Sequence, residues 1–495
     1  MRSSIQTEPK KRTWSRVVLA AGLSIAALSW QAPLSAQGAG SCGAQPGQLP
    51  CSAGGDAPPN EAEGSALSII AQENLWFSEP RRGGINYMVD GQLILPFEPL
   101  LGLTASSNRP AKMQEMQWFF RYTGQTSRNA IFSVEWLAPR DLVDRNLRKT
   151  FLPLIEQTEA RWNIFYDPVL ASVWRGHGPG PVDFSRPEIR QMFQDDLVYL
   201  RSLYFDHPNY WRIRGKPVLH VWAAAELVRN ADDLFEAARA SGIYICGDVF
   251  GQSGSEPPLD CRTGFTAATP GVVARSRRRT VQDVLPTFES YFEHDGGKDL
   301  IPAFSFQYDD ERFRTSLGLG GTAIQILAEG RQDLCDWVNL ADRYAEPIDG
   351  TRYIWVGTLN GWAEATSIYP TERGSAEFWS PDTSRGVQPY HYAKLEEMQH
   401  HLFPDAKYRK PEIEVTPAGE ILFKNTDVLG GVLIKARIDG VVRKLDLGKL
   451  EGVRFLPNFD RAWRPDFAFE RLTIRVKNLD GRQGKGVVRR LPATD

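Results

Sequence analysis

Between about residues 85 and 405 the chain alternates short runs of β-branched and aromatic residues with longer stretches whose apolar residues recur at helical spacing. Strands that alternate with helices over some 300 residues must be parallel, because a parallel pair needs a crossover and a helix is the usual one. The candidate strands are Leu93 to Phe97, Ala130 to Trp136, Asn163 to Asp167, Pro217 to Trp222, Ile243 to Phe250, Ile301 to Phe306, Thr322 to Leu327 and Arg352 to Leu359. Helical patterns lie between them: Ala111 to Tyr122, Asp144 to Ala160, Arg186 to Tyr204, Ala231 to Ser241, Val281 to Glu293, Leu334 to Tyr344 and Pro389 to Phe403. Eight strands imply closure into a (β/α)₈ barrel, the TIM-barrel form of the α/β class, over 76–405. An open doubly wound sheet would carry a Gly-rich phosphate loop after an early strand, and none is found there. From about 410 short alternating runs separated by turns such as Asp439-Gly440 predict a small C-terminal antiparallel β domain, sandwich-like, over 410–495. Its expected role is stability. Trp463 and Phe467 are the aromatics by which it would instead hold a sugar.

The N-terminus reads as an export signal. Lys10, Lys11, Arg12 and Arg16 precede the apolar run Val17 to Trp30, and Ala32 to Ala36 supply small residues for cleavage. The signal is placed at 1–36 and a flexible Gly/Pro/Ala/Ser-rich leader at 37–75. The mature protein is then expected to be secreted or periplasmic in a bacterium, without stable membrane insertion. Lys+Arg number 58 and Asp+Glu 60, so overall charge gives no reason to expect a nucleic-acid partner. The cysteines at 42, 51, 246, 261 and 335 suggest Cys42–Cys51 and Cys246–Cys261 as possible pairs, with Cys335 left over and buried. Their spacing fits no metal site, and no cofactor or metal is expected.

A parallel barrel works at the C-terminal ends of its strands. Here those ends are acidic: Glu98, Glu135, Asp167, Asp248, the run Asp309-Asp310-Glu311, and Glu364. Each alone is more often a salt bridge or helix cap. Together with Trp136, Trp222 and Trp362 they suit glycoside hydrolysis, which needs one carboxylic acid on the leaving oxygen and a second group at the anomeric carbon. Tyr166, His220 and Asn360 complete the expected substrate-binding set, and Glu364, Glu135 and Asp248 the catalytic set.

Residues 204–222, YFDHPNYWRIRGKPVLHVW, resemble the Tyr-x₅-Tyr-x₄-Gly-Lys-Pro-Val segment of glycoside hydrolase family 99-like barrels, a group that includes polysaccharide-biosynthesis-associated domains. GTLNGWAEATSIYP (357–370) is similar to their final-strand signature, Asn-Glu-Trp-x-Glu-Gly-Thr-x-x-Glu-Pro, and PAFSFQYDDERFR (302–314) to a strand-six Pro-Gly-Tyr-Asp-Asp element. FSVEWLAP and FYDPVLAS fit strands two and three. The resemblance covers about residues 90–405. It implies a barrel that cleaves internal α-mannosidic linkages with retention, the substrate's own 2-hydroxyl acting as nucleophile through a 1,2-anhydro sugar. It also implies that Glu364 is the general acid/base.

The departures matter as much. Gly361 stands where the family motif has the Glu that assists the 2-hydroxyl, and Ala365 and Tyr369 replace the later Gly and Glu. Glycine cannot take a proton, so that mechanism cannot run unchanged. Either another mouth carboxylate such as Glu135 or Asp248 takes a role, or the barrel binds glycan without cutting it. The two expectations are a secreted glycoside hydrolase acting on a polysaccharide or oligosaccharide, and a non-catalytic carbohydrate-binding or polysaccharide-assembly protein. A lyase or esterase is a third, and no Gly-x-Ser-x-Gly motif supports the latter.

Overall fold

The computed structural model describes residues 66–77, 88–89, 92–93, 99–124, 126–177, 182–222, 228–248, 258–263, 279–293, 297–304, 308–309, 325–327, 331–360, 410–479 and 481–489, with isolated positions between 370 and 403. The expected signal and most of the leader lie outside them.

Eight strands form the barrel: β1 (Ala66–Glu73), β2 (Ala130–Trp136), β3 (Arg161–Tyr166), β4 (Lys216–Val221), β5 (Tyr244–Asp248), β6 (Cys261–Thr263), β7 (Asp299–Ile301 and Ala303–Phe304, interrupted at Pro302) and β8 (Thr351–Thr358). Each pairs in parallel with the next in sequence. β8 returns to pair with β1, in register from Ala66↔Thr351 to Ala71↔Val356, and this closes the ring. Pro302 lets β7 serve both neighbours. Its first half pairs with β6 and its second with β8, while the Pro302 carbonyl accepts from Trp355 N at 2.9 Å.

The count of eight stands, but two members differ from expectation. The first strand is Ala66–Glu73, read in sequence as leader; its apolar run follows a Gly/Pro-rich segment without a turn signal to separate them. The barrel therefore begins ahead of residue 76. Leu93, the first residue of the segment expected to be strand one, instead pairs antiparallel with Met88. Gln325–Leu327, within the segment expected as strand seven, joins a separate three-stranded sheet with Arg279–Thr280 and Tyr308–Asp309. The sixth strand, Cys261–Thr263, is too short for periodicity to reveal.

Alternation along each strand sorts side chains into two cores. Ile70, Ile131, Phe165, Val218, Tyr244, Cys246, Cys261, Ile301 and Trp355 fill the barrel. Ile69, Phe132, Val134, Trp162, Ile164, Leu219 and Ile354 face the helices. Those helices are α1 (Arg109–Tyr122), α2 (Leu142–Asn146), α3 (Pro168–Trp174), α4 (Pro187–Leu203), α5 (Asp232–Ala240), α6 (Val281–Glu293) and α7 (Arg331–Tyr344). α4 shows why they form. Pro187 opens it, and Ile189, Met192, Phe193, Asp196 and Leu200 recur on its buried stripe. Among the described residues no helix is long and apolar enough to cross a membrane.

Cys246 and Cys261 are register partners on β5 and β6, buried and free thiols. Cys335, expected to be left over, is disulfide-bonded.

The C-terminal domain is a sandwich of two four-stranded antiparallel sheets. One contains β9 (Glu412–Val415), β10 (Ile421–Lys424), β13 (Val453–Phe455) and β14 (Arg461–Trp463). The other contains β11 (Gly431–Ile438), β12 (Val441–Asp446), β15 (Arg471–Lys477) and β16 (Gln483–Val488). Trp463 is buried in its core beside Phe467, at 6.1 Å between rings, so it offers no face to a sugar.

α1 joins the two bodies. It is buried on nearly all sides although it carries Lys112, Gln114, Glu115, Gln117 and Arg121. Gln114, Gln117, Trp118 and Arg121 fall on one helical stripe, and all four bond the sandwich. Gln117 donates to the Thr426 and Phe459 carbonyls (2.8 and 3.1 Å) and accepts from Val428 N (3.0 Å). Asp427 is the hub. Its Oδ1 accepts from Arg121 Nη1 (2.9 Å) and Trp118 Nε1 (3.3 Å), and its Oδ2 from Leu479 N (2.8 Å).

Candidate active site

The polar residues of the barrel's C-terminal end form a connected set. On β1, Gln72 Nε2 donates to Glu135 Oε2 of β2 at 2.9 Å and to Asn74 Oδ1 at 3.0 Å. Asn74 N donates to Asn360 Oδ1 (2.8 Å), and Asn360 Nδ2 donates to the Asn74 carbonyl and to Glu73 Oε1 (2.8 Å each). Asn360 follows β8, so these bonds tie the end of the last strand to the end of the first. Leu359 N reinforces the seam by donating to the Gln72 carbonyl at 2.8 Å.

Beneath this rim Lys112 of α1 is paired with both Glu73 and Glu115, all three buried. Burial alone would lower the Lys112 pKa; the charges and hydrogen bonds of Glu115 and Glu73 outweigh it and hold the pKa above the ordinary lysine value. A charge this deep is tolerated because it is paired. Glu73 is therefore a neutralised anchor for Asn360.

The expected site residues fall into three groups. Glu135, His220, Trp222 and Asn360 lie at or inside the mouth. Glu135 is almost wholly buried and takes the inward alternation of β2. His220 is packed between Phe165 and Trp355, with ring centroids at 4.7 and 4.4 Å, and its Nε2 contacts Thr263 Oγ1 at 2.7 Å. Burial pushes its pKa down to about 3, so it is a neutral interior group and not a base working near neutrality. Trp222 is half-buried just beyond β4, two residues after His220 and so on the inward alternation.

A second group points elsewhere. Trp136 and Tyr166 were expected to meet substrate, but each directly follows an inward residue and so faces the helices. They stack on each other at 6.0 Å, fully buried. Trp136 Nε1 donates to Asp144 (3.2 Å) and Tyr166 OH to Asp196 (2.8 Å). Asp167 caps α3, its Oδ1 accepting from Val169 N (2.9 Å) and Leu170 N (2.8 Å). Burial raises its pKa to about 7, against the lowering effect of the Leu170 and Val169 amides.

In the third group no side chain is described at the mouth. Glu364 and Trp362, with Gly361, lie outside the described residues, as do Glu98, Asp310 and Glu311. Asp248 ends β5, its backbone in register with Thr263 of β6. Asp309 belongs to the separate three-stranded sheet and not to a barrel strand. Among the described residues no group of three or more His, Cys, Asp or Glu could hold a metal ion.

Sequence reasoning missed Gln72, Glu73, Asn74, Lys112 and Thr263. The first three form an amide–acid–amide cluster directly after the apolar run of β1, the same pattern that exposed Glu135 after β2.

The Tyr-x₅-Tyr-x₄-Gly-Lys-Pro-Val segment proves to be scaffold. Tyr204 OH donates to buried Asp144. Tyr210 OH accepts from Ile164 N (3.1 Å) and donates to the Val218 carbonyl (2.9 Å), so it spans β3 and β4. Arg214 and Gly215 take φ of 49° and 74° in the tight turn that starts β4.

No protein-family model matches the chain, and a search of curated proteins finds no match. Among solved structures the chain is similar to the glycoside hydrolase family 99 endo-α-mannosidase of Bacteroides thetaiotaomicron bound to bis-tris-propane. Identity is 18%, TM-score 0.48, and the match covers 68% of this chain and 97% of that one. A second structure of the endo-α-mannosidase from that organism gives 16%, 0.46, 69% and 99%. A glycoside hydrolase-like protein gives 16%, 0.45, 70% and 97%.

Proposed function

We propose that the chain is an exported glycoside hydrolase acting on a polysaccharide or oligosaccharide, with Glu364 as general acid/base and an α-mannosidic linkage the first to test. The observation that carries the reading is the polar rim at the C-terminal end of a closed parallel barrel, where Glu135 is held by Gln72 and Asn360 is locked to β1. Asn360 is the first residue of the Asn-x-Trp-x-Glu stretch that leads to Glu364. A rim fixed by hydrogen bonds gives that stretch a fixed starting residue, and a catalytic carboxyl needs one. The charged N-terminal region and short apolar run support export.

Gly361 favours a second reading, a barrel that binds glycan without cutting it. The pairing of Glu73 with Lys112 favours it too, because an acid that Asn360 contacts is already committed.

The test is turnover of a mannan and α-mannoside panel by wild type, Glu364→Gln and Glu135→Gln, with glycan affinity measured in parallel. Removal of the general acid should slow turnover by about 10² to 10⁴ while binding is largely kept. Wild type that binds glycan and cleaves no panel member would establish the second reading. Undiminished turnover by Glu364→Gln would remove Glu364 from the mechanism.

A further inference from the structure

The outer face of the sandwich sheet β12-β11-β15-β16 carries charge that the fold leaves uncompensated. Lys435 of β11 faces Lys444 of β12, Arg437 of β11 faces Arg471 of β15, and Arg475 of β15 faces Lys485 of β16. All six are exposed, as is Lys477 on the same face. Residues directly opposite in an antiparallel pair have Cβ atoms about 4.5–5.5 Å apart, and like charges there destabilise the sheet.

Acids do little to relieve this. Asp446 is the one acid on the outward positions of these strands, and its Oδ1 accepts from Gly448 N at 3.0 Å. Glu470 lies 3.9 Å from Arg437 and also accepts from Gly440 N at 2.6 Å. Among the described residues Lys435, Lys444, Arg471, Arg475, Lys477 and Lys485 make no ion pair. The chain as a whole has 58 basic and 60 acidic residues, so this face is a local concentration and not a reflection of a basic protein.

A solvated face would be equally soluble with its charges mixed in sign. Facing cation pairs cost stability; Lys435–Lys444 and Arg475–Lys485 have no acid beside them, and an anion laid across them would relieve the repulsion. We propose that this face binds an acidic polysaccharide, one carrying carboxylate, sulfate or phosphate groups. The cations of β11 and β15 form a stripe about 20 Å long from Arg471 to Lys477, one to two strands wide, which suits a single extended chain. Three of them are arginines, whose planar forks match carboxylate and sulfate oxygens. A membrane surface fits less well, because the face carries only Leu433, Val442 and Val487 as apolar residues and no Trp or Phe to enter a bilayer interface. The choice of a glycan among polyanions rests on the reading of the barrel as glycan-acting; the charge argument does not.

The full-length protein is titrated with alginate, with neutral mannan and with phosphatidylglycerol vesicles, alongside a Lys435→Glu/Arg471→Glu/Arg475→Glu variant and a milder Lys435→Thr/Arg475→Thr variant. Alginate should bind wild type at low salt, weaken about tenfold or more as salt rises from about 0.05 to about 0.5 M, and weaken by a similar factor in the reversed-charge variant. The Thr variant should lose part of that affinity with no loss of folding, and mannan handling should not change in either. Failure of alginate to bind at low salt, equal binding by wild type and both variants, or capture of the vesicles in preference to alginate each overturns the proposal. Mannan and alginate cleavage are assayed in the same samples. Charge-dependent alginate binding without cleavage counts against the hydrolase reading and leaves this one standing.

Discussion

The barrel mouth and the outer face of the sandwich treat charge in opposite ways. At the mouth Lys112 is buried between Glu73 and Glu115, and Glu73 also accepts from Asn360. On the sandwich Lys435, Arg471 and Arg475 each face another cation and stand in water. Burial explains the contrast. An unpaired charge in the interior costs several kcal/mol and is not tolerated, whereas an exposed like-charge pair costs less than one and can be kept for a purpose. Compensated charge therefore marks where the fold holds itself in shape, and uncompensated charge marks where it faces a partner.

The sharpest way to break the comparison is to remove compensation at the mouth. Lys112→Met takes the ammonium from between Glu73 and Glu115 and should destabilise the protein by about 3–5 kcal/mol. Chemical denaturation measures it. Asn360 depends on Glu73, so turnover should fall in the fraction that stays folded. A loss below about 1 kcal/mol would mean that the triad is not held as a buried pair.

Next comes the joint between the two bodies. Asp427→Asn keeps the shape but removes the charge facing Arg121, and should cost about 1.5–3 kcal/mol, the range for hydrogen bonds to charged groups. The barrel and the sandwich should lose structure in one transition, because α1 belongs to both. Two separated transitions in wild type would show that the domains fold independently, as the change of pattern near residue 410 alone suggests.

Periodicity reads β2, β3, β4, β5, β7 and β8 and, in the sandwich, β9, β10, β11, β12 and β15, but it passes over β16 and the three-residue β13 and β14. It fails at β1, where a Gly/Pro-rich neighbour masks an apolar run, and at β6, where three residues carry no period. The candidate site is legible in the same uneven way. Acids after strands are visible, so Glu135 is found. Whether an aromatic after a strand turns in or out depends on register to a single residue, and Trp136 and Tyr166 fall on the wrong side of it. Lys112 could not be read at all: nothing in an isolated helix announces that one of its lysines lies under a strand end about 40 residues earlier. The cationic face was hidden by a balanced total, since charge counted over the whole chain averages it away.

A smaller effect tests burial at a single capping acid. Asp167 has its pKa raised to about 7 from an ordinary 3.8. Its ionised form is thus disfavoured in the folded state, and the penalty is absent below pH 4, grows as pH rises toward 7, and is complete above it. Asp167→Asn keeps a good helix cap without the charge. Its melting temperature relative to wild type should therefore be near equal at pH 4 and higher at pH 8. A variant that melts lower than wild type at pH 8 would show that the ionised carboxylate is a net stabiliser there.

The smallest expected effect is on the sandwich, and its sign is what matters. Lys435→Thr removes one member of the Lys435–Lys444 pair and places a β-favouring residue on an exposed central strand. Ordinary surface substitutions change stability by no more than about 0.5 kcal/mol in either direction. Relief of a facing like-charge pair should make this one stabilising, by about 0.2–1 kcal/mol at low salt. The gain should shrink as salt screens the repulsion, because both ammonium groups are exposed to counterions. Denaturant midpoints of wild type and variant at two ionic strengths measure both parts. A substitution that stabilises the fold at low salt while weakening alginate binding would place the cost of the charge and its use in the same side chain. A substitution that destabilises at every salt concentration would mean that Lys435 is held by interactions other than those of a like-charged neighbour, and the contrast between the two regions would then not rest on repulsion.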